Sequence, residues 1–179
     1  ISGSETSLDA IEPPPALIRT QALLAAGNPI RVLAIEPIAA MMESAIQQHD
    51  PGAKVEVTAW PVAGKSLARL EQDAKDLVRA MKPDLVVLTI PATATAENDE
   101  QRVHAISWIM NWSLSFGHQE WDCIVVHPNV FDPGADSSMA SVIRKLVRAQ
   151  HLARLDREPG DVSNAETIVR AWFQAQLKQ

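Results

Sequence analysis

Short apolar runs alternate with amphipathic stretches along most of this chain. Runs rich in β-branched residues, apolar at nearly every position, are typical of strands buried on both faces of a sheet. Stretches in which apolar residues recur every three or four positions are typical of helices with one buried face. The predicted strands are 30–35, 54–59, 84–90, 122–127 and a short one at 152–155. The predicted helices are a first one opened by Pro13 and ended by Gly27, followed by 38–49, 66–81, 99–116, 137–150 and 164–177.

The regular alternation of strands and helices predicts an α/β fold, in which a parallel sheet lies between two helical layers as an α/β/α sandwich. No repeat or linker interrupts the pattern, so residues 13–179 are predicted to form a single domain after a flexible lead-in at 1–12. Ligands of such folds bind at the carboxyl ends of the strands. The loops that follow the strands are therefore the places to look for a functional site.

Composition narrows the classes of function. The formal net charge is -6 and no basic run occurs, which argues against a nucleic-acid partner. No apolar stretch approaches the roughly 20 residues that a membrane span needs. The single cysteine, Cys123, rules out an internal disulfide framework and leaves the compartment open. No two histidines have the close helical spacing of a zinc site, so neither a metal nor another cofactor is predicted.

Four of the five tryptophans fall on or beside the later predicted elements. Trp108 and Trp112 are four residues apart and share a face of their helix, while Trp121 and Trp172 flank other elements. The default prediction is that these rings pack in the core or at a buried helix interface. Two rings exposed together would instead indicate a contact with a protein or a carbohydrate.

The segment Ala59-Trp-Pro-Val-Ala-Gly-Lys-Ser66 satisfies the loose phosphate-binding loop pattern. Pro61 has no N–H to offer a phosphate oxygen, and Trp60 is bulky for a loop that must wrap closely. The strands that follow end near Thr89 and His127, without the carboxylate that would hold Mg²⁺. An ordinary strand-to-helix turn is therefore favoured over a nucleotide-binding module.

From about Ile30 to Phe173 the chain resembles the SGNH (GDSL-type) hydrolases, a family of esterases and lipases. In that family a strand ends in Gly-Asp-Ser, whose serine is the nucleophile. Here the first strand is followed by Glu36-Pro37-Ile38, so Ile38 stands at the nucleophile position. The second block resembles Ala59-Trp-Pro-Val-Ala-Gly64 followed by Ser66-Leu-Ala-Arg-Leu70, and Gly64 matches the glycine whose N–H helps to bind the oxyanion.

The third block resembles Lys82-Pro-Asp-Leu-Val-Val-Leu88, after which Thr93 replaces an asparagine donor. The last block, Asp-x-x-His, corresponds to 159–164, where Val162 stands at or beside the histidine position. No histidine occurs between 152 and 179. The resemblance implies a flavodoxin-like sheet with the strand order 2-1-3-4-5.

The resemblance also implies a degenerate, catalytically inactive family member. Acyl transfer needs a nucleophile with a base in hydrogen-bond reach, and neither isoleucine nor valine can fill these roles. The chain is then predicted to be a ligand-binding or accessory, structural domain of a larger protein. Its predicted partners are a neighbouring domain of the same polypeptide and a small ester or carbohydrate ligand, and the family resemblance is compatible with a secreted or periplasmic location.

Two alternatives stay open. In the first, a weakly active ester hydrolase uses relocated groups, Thr93 and His127. Further candidates lie on the loops that follow the strands, here called the rim: they are Ser66, Thr95, Asp132 and Asp136. A histidine before a proline at a strand end more often satisfies backbone groups. In the second alternative the chain is a receiver-like signalling module, but Thr89 stands where the phosphoacceptor aspartate is needed.

Overall fold

A computed structural model describes residues 16–91, 93–114, 120–135 and 137–178, the last range without the side chains of 137–139. The predicted lead-in and Asp136 lie outside the described residues. The strands are β1 (Ile30–Ile35), β2 (Val55–Trp60), β3 (Leu85–Thr89), β4 (Asp122–Val126) and β5 (Ala153–Leu155). The helices are α1 (Ile18–Ala25), α2 (Ala39–Gln47), α3 (Leu67–Met81), α4 (Asp99–Trp112), α5 (Ser137–Ala149) and α6 (Ala165–Leu177).

The five strands form one parallel sheet in the order β2-β1-β3-β4-β5. The predicted α/β class and strand order are both confirmed. Helices α1, α2 and α6 pack on one face of the sheet, and α3, α4 and α5 pack on the other. This arrangement follows from right-handed crossovers, because the chain reverses its direction of travel across the sheet after β2.

Burial along the strands follows their place in the sheet. Every residue of the central strand β3 is buried, whereas the edge strand β2 alternates between half-buried and exposed positions until Trp60. The apolar runs that predicted the central strands are therefore covered by helices on both faces. In the described ranges, no helix is long and apolar enough to cross a membrane.

Polar side chains cap three of the helices. Ser66, Asn98 and Asn164 each accept a hydrogen bond from the backbone N–H three residues further on, at the first turns of α3, α4 and α6. Such caps satisfy N–H groups that have no partner within the helix. Helix α4 ends at Trp112, earlier than the prediction of 116: the N–H of Ser113 still bonds to the carbonyl of Ile109, but that of Leu114 bonds only three residues back, to Asn111.

Helix α1 is anchored from a distance at the amino edge of the sheet. The residue before it, Leu17, provides no side-chain cap. Instead, the buried carboxylate of Asp122 accepts hydrogen bonds from the N–H of Arg19 at 3.1 Å, the N–H of Thr20 at 2.7 Å and the Thr20 hydroxyl at 2.8 Å. Asp84 accepts from the Arg19 guanidinium and from the N–H of Arg31. Two carboxylates at the starts of β3 and β4 thus hold the first helix in place.

Candidate functional site

Ile38 lies at the carboxyl end of β1, immediately before α2. The N–H of Glu36 still bonds to the carbonyl of Trp60 at 2.9 Å, and the N–H of Ile38 bonds back to the carbonyl of Ile35 at 3.0 Å. The side chain of Ile38 is 0% exposed. The position that the family resemblance assigns to a nucleophile therefore holds a buried aliphatic side chain.

Gly64 occupies the turn between β2 and α3 in a left-handed conformation, with φ of 71°. The turn is closed by a hydrogen bond from the N–H of Lys65 to the carbonyl of Val62 at 3.1 Å. A Cβ atom built on Gly64 would have no heavy atom within 4 Å. The backbone conformation therefore favours a glycine here, although there is room around the Cα atom for a side chain.

The substitution Gly64→Ala is expected to lower the free energy of unfolding by about 1 kcal/mol, because an L-residue is strained at this positive φ. Gly52→Ala is a matched control in an exposed turn without positive φ, where the new Cβ would lie 3.5 Å from the Asp50 carboxylate. Urea denaturation of both variants checks this. Equal losses in the two variants would contradict the assignment of strain to Gly64.

The lysine and serine after Gly64 are both engaged at the start of α3. Lys65 Nζ lies 2.5 Å from Asp73 Oδ2, and Asp73 also pairs with Arg69 at 3.1 Å. The Ser66 hydroxyl accepts the hydrogen bond that caps the helix. In a phosphate-binding loop the lysine instead reaches the phosphates and the hydroxyl reaches the metal ion. The geometry favours the ordinary strand-to-helix turn.

The loop after β3 packs against this turn. The N–H of Leu67 bonds to the carbonyl of Thr95 at 2.9 Å. Ser66 and Thr95 line the same cavity of about 240 Å³, together with Gln101. The side chains of Thr93 and Thr95 are exposed. Of the candidate rim residues, the structure therefore brings Ser66 and Thr95 together.

His127, at the carboxyl end of β4, is 1% exposed, and the protein engages both of its ring nitrogens. Nδ1 accepts a hydrogen bond from the N–H of Asn129 at 3.1 Å and lies 3.3 Å from Asp156 Oδ1. Nε2 lies 3.3 Å from the carbonyl oxygen of Ala140. When Nδ1 accepts from Asn129, the proton is on Nε2, which donates to Ala140, and Asp156 is then a close neighbour of the ring without a hydrogen bond to it. These contacts fit a histidine that satisfies backbone groups, and none of them is to Thr93 or Thr95.

The remaining candidates do not join His127. Asp132 is exposed and its carboxylate accepts from the N–H of Gly134 at 2.9 Å within its own turn. Val162 is 92% exposed. Beside it, the hydrogen bonds that Ser163 donates from its hydroxyl and its backbone N–H lower the pKa of the Asp161 carboxyl. Val162 thus projects into solvent from a loop that is ordered by its neighbours.

Sequence reasoning missed two residues after β5 that organise this part of the rim. Asp156 lies against the His127 ring. Its Oδ2 atom also forms ion pairs with Arg154 Nε at 2.8 Å and with Arg144 Nε at 3.4 Å. Arg157 donates to four backbone carbonyls, those of Asn129, Val130, Asp161 and Ser163. In sequence these two are an ordinary charged pair after a very short strand, so no local pattern marks them.

The single cysteine does not provide a nucleophile. Burial raises the pKa of the Cys123 thiol to about 12, and the nearby charge of Asp122 adds to the shift. The thiolate, which is the reactive form, is therefore scarce near neutral pH. In the described parts of the chain, no group of three or more His, Cys, Asp or Glu side chains is arranged to hold a metal ion.

The tryptophans fit the prediction of core or interface packing only in part. Trp121 is buried and its indole N–H donates to the carbonyl of Ser113 at 2.9 Å. Trp112 and Trp172 are half-buried. Trp108 is 38% exposed, so the prediction is wrong for this residue. Its helix face turns away from the sheet, which the spacing of four residues did not indicate.

No protein-family model matches this sequence, and no curated protein matches it either. Solved structures do match the fold. A two-domain esterase active on acetylated mannans, co-crystallised with mannopentaose, superposes with a TM-score of 0.62 at 13% identity, over 91% of this chain and 54% of that one. This chain thus spans about half the length of that esterase.

Two further solved structures match over nearly their whole length. A variant of an acetyl xylan esterase from Geobacillus stearothermophilus gives a TM-score of 0.58 at 12% identity, over 83% of this chain and 94% of that one. TesA gives 0.51 at 13% identity, over 83% and 96%. At such identities the likeness concerns the fold alone. The chain shares its α/β/α fold with these proteins, and its sheet has the strand order 2-1-3-4-5 that the family resemblance implies.

Proposed function

We propose that this chain is a catalytically inactive SGNH hydrolase-like domain, which serves a larger protein as a ligand-binding or accessory domain. The observation that carries the proposal is the environment of Ile38, a fully buried aliphatic side chain at the exit of β1. No nucleophile can project there, and the loop before α6 offers the exposed Val162 instead of a base.

Among the described residues, the loops after the strands offer no ready substitute for a nucleophile and its base. The ring nitrogens of His127 are directed to Asn129, Asp156 and Ala140, so a relocated base would have to give up these contacts first. Gly64 turns the chain at a positive φ, at the position that the family resemblance assigns to an oxyanion loop. One such loop without an attacking group has no tetrahedral intermediate to stabilise. This favours an inactive domain over an esterase with relocated groups.

The proposed role takes its ligand class and context from the matched structures. The two-domain esterase acts on acetylated mannans, and this chain corresponds to about half of it. An inactive domain of this fold beside a catalytic one would hold an acetylated polysaccharide or the neighbouring domain without cleaving anything. The small cavity between Ser66 and Thr95 is the proposed remnant of the ester-binding cleft.

The test is hydrolysis of p-nitrophenyl acetate and of acetylated xylo- and manno-oligosaccharides by the purified protein. We expect no release above the buffer rate, and the same background in Thr93→Ala and His127→Ala variants. Saturable hydrolysis that either substitution abolishes would overturn the proposal and favour a rebuilt Thr–His site. Binding of the same oligosaccharides, measured by calorimetry, separates a ligand-binding domain from a purely structural one.

A further inference from the structure

A groove on the outer side of α4, beside α5, contains two of the large apolar side chains that the described chain leaves exposed. Val103 is 39% exposed and Trp108 is 38% exposed. The groove has a volume of about 570 Å³, and Leu146 of α5 contributes to its apolar wall. This volume falls within the range of about 300–1,000 Å³ that is usual for ligand sites. An exposed indole beside other apolar side chains commonly marks an interaction site.

Trp108 belongs to a ladder of rings along one face of α4. The His104 ring lies 6.2 Å from it on one side, and the Trp112 ring lies 5.6 Å from it on the other. Trp112 already receives two cations from α3, with Lys75 Nζ at 5.3 Å and Arg79 at 5.2 Å from its centroid. The Trp112 ring is therefore already covered by positive charge from α3, whereas the rings of Trp108 and His104 line the groove.

Two carboxylates stand at the other end of the groove. Asp99 and Glu100 lie in the first turn of α4, line the groove and are both exposed. Among the described residues, neither side chain forms an ion pair with a basic group. Glu100 and Trp108 are about 12 Å apart along the helix axis, from a rise of about 1.5 Å per residue. The groove thus has a negative end and an apolar, aromatic end.

We propose that this groove binds a short basic peptide segment of a partner, with lysine or arginine at Asp99 and Glu100 and a large apolar side chain against Val103 and Trp108. We choose a peptide of this kind because the negative end and the apolar end of the groove would each bind a side chain of matching chemistry. A neutral saccharide would leave the carboxylates of Asp99 and Glu100 without a cationic partner, whereas a basic peptide would supply one. The groove is distinct from Ile38, Gly64 and Val162, so this binding does not depend on whether the rim hydrolyses esters.

The test is fluorescence anisotropy of a labelled model peptide that carries two lysines and, about 10 Å further along an extended chain, two leucines. We expect saturable binding that weakens at high salt and is at least about tenfold tighter than that of the same peptide with glutamine for lysine. Val103→Lys, which adds a cation in the groove at an exposed helical position, is expected to weaken binding about tenfold. The double variant Asp99→Asn/Glu100→Gln is expected to do the same.

The double variant Glu56→Gln/Glu158→Gln is the control, because it removes the same charge from exposed positions on β2 and on the loop before α6. It should bind the peptide like the unchanged protein. If both double variants weakened peptide binding equally, the peptide would be attracted by the net charge of the protein alone, and the proposal that it binds in the groove would be overturned. Equal affinity for the lysine and glutamine peptides would overturn it as well. So would binding of a neutral xylo-oligosaccharide that Val103→Lys abolishes, in the absence of peptide binding.

Discussion

Replacing Arg157 with alanine is expected to lower the free energy of unfolding by about 3 to 4 kcal/mol. The guanidinium donates to Asn129 O at 2.7 Å, Val130 O at 2.8 Å, Asp161 O at 2.8 Å and Ser163 O at 2.6 Å. Alanine would leave these part-buried carbonyls without their charged donor. A loss of this size is a large share of the 5–15 kcal/mol by which domains are usually stable.

The same substitution should loosen the rim before it unfolds the protein. Arg157 joins the turn after β4 to the loop that carries Val162 and leads into α6. Without this link we expect faster proteolytic cleavage between residues 157 and 164, under conditions in which the far-UV circular dichroism is unchanged. Urea denaturation supplies the free energy, and timed proteolysis with mass spectrometry supplies the position of the cut.

Two variants make this result interpretable. Arg157→Lys keeps the charge but loses the planar set of donors, so we expect it to recover less than half of the loss. Arg154→Ala removes a neighbouring arginine that is 38% exposed and pairs with Asp156 alone, and should cost less than about 1 kcal/mol. If Arg154→Ala and Arg157→Ala were equally destabilising, the four carbonyl contacts would not be what stabilises the rim.

Replacing Asp122 with alanine is expected to cost about 3 kcal/mol, through the loss of the anchor for α1. The carboxylate is 5% exposed and accepts from two backbone N–H groups and one hydroxyl at the start of that helix. Alanine would strand these donors in a buried position, since Leu17 supplies no cap of its own. Urea denaturation measures the loss, and hydrogen exchange of the amides of Arg19 and Thr20 reports on the helix start.

The control for Asp122 is the second carboxylate at the same edge. Asp84 has a side chain that is 13% exposed and pairs with an Arg19 side chain that is 45% exposed. Because solvent screens that pair, Asp84→Ala is expected to cost about 1 to 2 kcal/mol. Asp122→Asn, which keeps one acceptor oxygen, should lie between the alanine variant and the unchanged protein. A loss in Asp122→Asn as large as in Asp122→Ala would show that the charge matters more than the acceptor.

Arg157 and Asp156 organise a part of the rim in which the sequence alone does not mark them as important. In sequence, attention falls on Ile38 and Val162, the positions that the family resemblance assigns to a serine and a histidine. In the structure the same region is densely bonded, with His127 and the loop before α6 held by the residues that follow β5. Polar groups that already bond to one another, as those of Arg157 and the loops beside it do, are suited to a structural role, and this agrees with the proposed inactive domain.

What the sequence determined by itself is the architecture and the identity of the residues at the strand ends. Strands covered on both faces need continuous apolar runs, and helices need a periodic stripe, so β1, β3 and α3 could be placed from pattern alone. The positions of Ile38 and Gly64 follow because they adjoin such strands in the chain. Local hydrogen bonding, as at the caps Ser66, Asn98 and Asn164, is likewise set by neighbours a few residues away.

Only the tertiary structure decided which distant groups meet. Asp122 and Thr20 are 102 positions apart, and Arg157 and Asn129 are 28 apart, yet each pair shares a hydrogen bond. No local pattern encodes such pairs, because the residues are brought together by the spatial order of the strands in the sheet. The exposure of Trp108 was decided in the same way, since a helical stripe shows which residues share a face but not whether another element covers that face.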